Sequence, residues 1–193
     1  MRTLRYREDS APTFSKLALS LASTVEEVLE IQQLRYRLFA DTMDIDCLRQ
    51  YEGMDCDELD NFCEHLIVRD TRSKEIVASI QLLTPRRLTK MRLSPLENAF
   101  DLSHLEDLRS RIVEAGRTCI HPDYRHSDVN TMLWSGLIAC MRKEHATYLA
   151  RCASISLGDG GKTVNYLFRP GQSKYFAPHR YRVTPHHPFP LDE

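Results

Sequence analysis

Residues Arg111 to Ile120 read as an apolar strand that carries a carboxylate at Glu114 and a guanidinium at Arg117 and ends in the turn His121-Pro122-Asp123. Charge inside a strand core is costly unless it is paired and hydrogen-bonded. The strand is followed by a strongly apolar helix, Val129 to His145, with Ser127 and Asp128 as candidate caps, and then by a second apolar strand, Tyr148 to Ile155. Two strands joined through a helix pair in parallel, so this part of the chain commits to an α/β layered arrangement. The charged pair has two readings. It is either a structural ion pair or part of a catalytic site, where perturbed titratable groups collect.

The other elements fit around this unit. Leu17 to Leu21 alternates as a strand does, and Ser23 with Glu26, or Thr24 with Glu27, makes a capping box that starts a helix. That helix places Val28, Ile31, Leu34 and Leu38 on one face and reaches about Ala40, before an acidic loop from Asp41 to Asp60. Residues 65–69 and 76–83 form two strands joined by the polar turn 71–74, as in a hairpin. Thr84 to Ser110 reads as irregular, and Gly158-Asp159-Gly160-Gly161 breaks the chain before a short helix around Val164 to Phe168. The segment from about residue 177 is a Pro-rich tail. With no internal repeat and no low-complexity linker, residues 1–193 are expected to form one α/β domain, a mixed central sheet flanked by helices.

A formal net charge of -1 offers no global field for DNA or RNA, so no nucleic-acid partner is expected. Met1 to Phe14 carries charges throughout and lacks the apolar core of a signal peptide, and no later run approaches the ~18 apolar residues of a membrane span. The expected location is the cytoplasm. The six cysteines form no C-x-x-C, so reduced thiols are expected. Cys56, Cys63 and His65, with His121 or His186-His187, come nearest to a metal cluster, but the spacing matches no recognised zinc arrangement and no metal is expected. Cys119 lies two residues before His121, yet nothing marks the thiol as activated. The phosphate-binding and nucleophile-elbow motifs G-x-x-x-x-G-K-[ST], G-x-G-x-x-G and G-x-S-x-G are absent, which removes nucleotide hydrolysis and α/β-hydrolase chemistry.

Three groups of residues can carry chemistry. Glu114 and Arg117 are three apart and would point to opposite faces of a regular strand. A bulge at Gly116 would turn both toward one crevice and free a backbone N–H for a developing oxyanion, with Glu114 as general base and Arg117 as its orienter or an electrostatic stabiliser. The run from Glu52 to Asp60 holds five carboxylates. It is either a solvated face or a loop in which Asp57 and Asp60 meet a cationic amine, with Arg35 and Arg37 as natural partners. Arg86, Arg87, Lys90 and Arg92 are either solubilising charge or a local patch for an acidic partner. Trp134, with Met132, Leu133, Leu137 and Ile138, reads as the core of a buried helix.

The residues Glu114 to Arg125, the run Leu133-Trp134-Ser135-Gly136-Leu137, the run Cys152 to Ile155 with Asp159-Gly160-Gly161, and Tyr181-Arg182-Val183 together resemble the ornithine acyl-ACP N-acyltransferases, from about Leu17 to Pro190. More distantly, Leu34-Arg35 with Phe39, Asp57-x-x-Asp60 and Glu114-x-x-Arg117 are similar to the spaced residues of acyl-homoserine lactone synthases. The resemblance implies a GNAT-like fold and an enzyme that moves a (3-hydroxy)acyl chain from acyl carrier protein to the α-amine of ornithine, giving lyso-ornithine lipid. It implies no bound cofactor, the donor being a phosphopantetheine thioester. It also implies functional positions at Arg35, Phe39, Asp57, Asp60, Glu114 and Arg117, and it suits the reading from the residues themselves, with Gly116 at the oxyanion and Arg86, Arg87, Lys90 and Arg92 docking the acidic carrier. An acyl product would favour transient contact with the inner membrane. Tyr166, on the short last helix, is either an acid for the departing thiolate or a packing residue. The alternatives are an acyl-homoserine lactone or other N-acyl amino acid synthase, or an inactive relative that binds acyl-ACP or lipid.

Three departures stand out. Gln81 occupies the third-strand position where those families carry Arg, and Arg125 to Asn130 lacks the Gly-rich pyrophosphate cradle of coenzyme A-dependent relatives. The ornithine enzymes continue past the Pro-rich stretch, so the last strands of the fold are expected to be missing or differently made.

Overall fold

The computed structural model describes residues 16–40, 53–168 and 176–188. The N-terminal stretch and residues 41–52 of the acidic loop, with Cys47 and Glu52, lie outside the described residues. In chain order the elements are β1 (Leu17–Leu21), α1 (Val25–Ala40), β2 (Glu64–Asp70), β3 (Ile76–Leu83), α2 (Pro85–Leu88), α3 (Pro95–Ala99), β4 (Phe100–Asp101), β5 (Ile112–Ile120), α4 (Val129–Lys143), β6 (Tyr148–Ala150), α5 (Lys162–Leu167) and β7 (Thr184–Pro185). The main sheet runs β1-β2-β3-β5-β6, and β4 pairs with β7 in a second, two-stranded sheet. β1 and β2 are antiparallel, from Leu17 opposite Asp70 to Leu21 opposite Leu66, while β5 and β6 are parallel, so the sheet is mixed. The described residues fall into two compact units, divided within β3 and β5. One takes the chain up to Gln81 together with Arg117–Ala139, and the other takes Leu82–Gly116 and the chain from Cys140.

In the first unit α1 starts where the two overlapping capping boxes were expected, and it uses parts of both. Thr24 Oγ1 accepts from the N–H of Glu27 at 3.2 Å, while the Glu27 carboxylate reaches back to the N–H of Ser23 at 2.8 Å. The apolar stripe of α1 buries Ile31 and Leu34 against Ile67, Ile76 and Cys119, with Leu38 and Phe39 packed at the margin. The turn between β2 and β3 closes through Lys74 N–H to the Asp70 carbonyl at 2.9 Å. α4 buries Leu133 and Leu137, and Gly136 lies against Leu66 and Leu19. Trp134 and Ile138 stand 39% and 47% exposed, which corrects their reading as core. Successive helical residues turn through about 100°, so with Leu133 and Leu137 inward their neighbours fall on the opposite flank.

In the second unit the segment expected to be irregular holds α2, α3, β4 and a long 3₁₀ stretch, Ser103–Arg111. α3 is set by Ser94-Pro95-Leu96-Glu97, a full capping box with proline in its first turn. β6 is shorter than expected. Its parallel pairing covers only Ile112, Val113 and Glu114 opposite Tyr148, Leu149 and Ala150, and residues 151–157 are exposed. No helix among the described residues is long and apolar enough to cross a membrane.

Candidate functional site

Unit one holds a buried charge network. α1 aims Gln32 and Arg35, neighbours on one helix face at a spacing of three residues, at the loop before β2, where Asp55, Asp57 and Asp60 sit. Arg35 is 1% exposed and grips Asp60 in a fork, Nη1 to Oδ1 at 2.9 Å and Nη2 to Oδ2 at 2.7 Å, and also donates to the Asp55 carbonyl at 2.6 Å. Gln32 and Gln81 add amide donors to Asp60 at 2.8 and 3.0 Å. His65 Nε2 lies 3.4 Å from the Asp60 carbonyl. Arg117 donates to both oxygens of Asp55, at 2.5 and 2.6 Å, and to Asp57 at 2.8 Å.

The electrostatics follow from burial and pairing. Burial alone would raise the Asp60 carboxyl, but the hydrogen bonds and charge of Arg35, with Gln32, outweigh it and hold the group below its ordinary value. Burial likewise opposes the charge on Arg35, and Asp60, Asp55 and Asp57 together outweigh it and raise that guanidinium. His65 is lowered chiefly by burial, in spite of Asp60, and so stays neutral. The 3₁₀ turn Glu58–Asn61 is capped reciprocally, Asp57 accepting from the N–H of Asp60 at 3.1 Å and Asp60 from that of Asp57 at 3.4 Å. Two arginines thus face three aspartates. Asp57, at 24% side-chain exposure, is the acid of the three that reaches solvent, against 2% for Asp55 and 4% for Asp60.

Unit two presents Glu114 on β5, 8% exposed. Burial raises its carboxyl, and Ser94, the backbone of Leu96 and the charge of Arg109 offset this only in part. Ser94 is fully buried and caps α3, and Glu97 of the same capping box pairs with Arg109 at 2.9 Å. A small recess is lined by Glu114, Glu97, Arg109 and apolar Leu88, Leu102 and Ile112 among others. A carboxylate that keeps its proton longer than usual and borders such a recess has the character of a general base.

The expected residues therefore separate. Arg35, Asp57, Asp60 and Arg117 come together, while Arg37 is exposed away from that network. The cation beside Glu114 is Arg109, and Arg117, expected as a possible orienter of Glu114, spends its guanidinium on Asp55 and Asp57. The irregularity expected at Gly116 falls one residue later, where Arg117 adopts φ +47°. Three hydrogen bonds to two carboxylates hold a non-glycine residue in that left-handed conformation. Gly116 is half-buried, and Phe39 packs against the core cluster. Arg86, Lys90 and Arg92 are exposed and Arg87 half-buried, with Arg86 3.3 Å from Glu144. Tyr166 is 58% exposed and so is not a packing residue. Cys119 is buried beside Ser79 Oγ at 3.2 Å, and burial pushes its thiol up. Sequence reading missed Asp55, Gln32, Ser94, Glu97 and Arg109. The signal for Ser94 and Glu97 was present, since Ser-Pro-x-Glu is a helix start; Asp55 had none to set it apart within the acidic run.

A family model for the acetyltransferase (GNAT) domain matches residues 34–135, just over half of the chain. The L-ornithine N(alpha)-acyltransferase of Brucella abortus is 29% identical over 147 residues, covering 72% of this chain and 52% of that protein. The protein of the same name from Rhodobacter capsulatus is 30% identical over 126 residues, covering 62% and 49%. The chain spans about half the length of the curated relatives it matches. The fold is like that of a CoA-dependent acyl-homoserine lactone synthase, BjaI, solved with SAM and isopentyl-CoA, at TM-score 0.53 and 18% identity, covering 72% of this chain and 65% of that one. On the extent of the domain match and the shared mixed-sheet fold, the chain belongs to the GNAT acetyltransferase-domain family.

Proposed function

We propose that this chain carries the GNAT domain of an N-acyltransferase that moves a (3-hydroxy)acyl group from acyl carrier protein to the α-amine of ornithine, giving lyso-ornithine lipid. The observation that carries the reading is Glu114: a buried carboxyl, raised by that burial, on β5 of a domain whose curated relatives are named L-ornithine N(alpha)-acyltransferase. Glu114 takes a proton from the ammonium group, directly or through water, and the free amine attacks the thioester carbonyl. A C–N bond forms, the C–S bond breaks, and the pantetheine thiol leaves with a proton. Backbone N–H groups near Gly116 steady the oxyanion. Asp60 is saturated by Arg35, Gln32 and Gln81, so Asp57 is the acid that offers a cationic amino acid a partner. Arg117, one-third exposed, acts as an electrostatic stabiliser. The cations Arg86, Arg87, Lys90 and Arg92 dock the acidic carrier.

The test is mass spectrometry of the protein with 3-hydroxyacyl-ACP, ornithine and the twenty standard amino acids, with and without S-adenosylmethionine. N-acylornithine formed without S-adenosylmethionine is the expected product. A lactone formed only with it would replace this reading by a homoserine-lactone synthase, and carrier binding without product would leave a binding role. Glu114→Gln should abolish turnover while the thermal melt stays cooperative. In the wild type, kcat should rise with pH through a value above the ordinary ~4.3 of glutamate, since burial raises this carboxyl. Near-normal turnover by the variant would sink the catalytic role.

A further inference from the structure

We propose that Asp55 is the positioning residue for Arg117, setting that guanidinium through a buried carboxylate without touching substrate itself. The inference deepens the acyltransferase reading and rests on it for its kinetic consequences. Every polar group of Asp55 is engaged. Its N–H donates to the Gln32 carbonyl at 3.0 Å, and its carbonyl accepts from Arg35 Nη2 at 2.6 Å. Its carboxylate lies 3.5 Å from Arg35 Nε and takes both short bonds from Arg117 Nη1. The residue is 2% exposed, so it has no surface left to offer a ligand. Its position is dictated by α1, through Gln32 and Arg35, and it passes that position to β5.

Arg117 is held where its own backbone would not settle. At φ +47° a residue other than glycine is sparsely populated, and the conformation persists only where surrounding contacts over-determine it. Asp55 and Asp57 both bind the guanidinium, but unequally. Asp55 takes two bonds and is anchored at every polar atom, whereas Asp57 takes one and is 24% exposed. Asp60 already neutralises Arg35, which leaves the charge of Asp55 for Arg117. The three acids of this run thus have three different tasks: Asp60 anchors, Asp57 faces outward, and Asp55 connects the two arginines.

Rotation about the Cζ–N bonds of a clamped guanidinium is slowed, so the Nη signals of Arg117 should be resolved in spectra of the full chain labelled with ¹⁵N-arginine, assigned with Arg117→Gln. In Asp55→Asn they should merge, while those of Arg35 remain resolved because Asp60 still holds it. In Asp57→Asn they should stay resolved, which tests the proposal even where Asp55→Asn fails to fold. With active protein, Asp55→Asn should lower kcat about tenfold or more with a smaller change in KM, and should add nothing in the Arg117→Gln background. Resolved Arg117 signals in Asp55→Asn, merged signals in Asp57→Asn, or additive kinetic effects would overturn the proposal. A wild type without turnover would defeat the acyltransferase reading instead, and the spectra alone would then decide the role of Asp55.

Discussion

Arg35 and Asp60 are a buried ion pair whose geometry is good enough to hold both groups charged. Removing one partner of such a pair leaves an uncompensated charge, which costs more than the pair itself contributes. Asp60→Asn should therefore destabilise the fold by about 3–5 kcal/mol at pH 7. The sign of its pH dependence follows from the lowered carboxyl: the stabilisation is complete above the unfolded value near ~3.9 and is lost as pH falls through the lower folded one. Urea denaturation of the two proteins from pH 7 to pH 3 checks this, and the gap between them should narrow only below about pH 4. A gap independent of pH would mean that the charge of Asp60 is not what stabilises the network. Glu114 has the opposite sign. Burial favours its proton, so its ionisation weakens the fold as pH rises and adapts the group to take a proton from an amine.

α4 meets the sheet at Gly136, where a methyl group would lie 2.7 and 2.9 Å from the two ends of Leu66 and 3.0 Å from Leu19. Glycine within a helix costs about 1 kcal/mol relative to alanine, so this position trades helix propensity for close approach. Leu66 is 4% exposed and has little room to withdraw. Gly136→Val should cost about 1–3 kcal/mol by overpacking, read as a lowered thermal midpoint with unchanged far-ultraviolet circular dichroism. A midpoint equal to the wild type's would show that Leu66 can repack. Other elements illustrate how far local pattern reaches. Capping residues and apolar spacing located α1 and α4 within a residue or two, because those signals are carried by neighbours in the chain. The same logic failed for β6, whose apolar run continues to Ile155 while its ladder ends at Ala150. Strand length is decided by the partner, and no residue within 148–155 records where the partner stops pairing.

Across the whole molecule the net charge of -1 hides local imbalance. Three of the four cations proposed to dock the carrier are exposed, and Arg86 has an acid, Glu144, close by. Reversing Arg86, Arg87, Lys90 and Arg92 should weaken acyl-ACP binding, and the loss should shrink as salt is raised, since surface charges are screened over about 10 Å at 0.1 M. Titration of wild type and variant at two ionic strengths measures both effects. Equal affinities at low salt would remove these residues from the docking face.

From the sequence alone came what depends on neighbours along the chain: the order of the five main-sheet strands with α1, α4 and α5, the parallel β5–β6 pair across a helix, and the residues Glu114, Arg117, Asp57 and Asp60 as candidates. Tertiary structure decided how those candidates are partnered. Arg35 and Asp60 are 25 residues apart and Asp55 and Arg117 are 62 apart, and nothing in a linear spacing says which acid meets which base. The same holds for burial. An acidic run looks like a solvated face in sequence, and only the packing of α1 over the loop takes Asp55 and Asp60 out of water, leaves Asp57 at the surface, and turns a row of like charges into a network of three different environments.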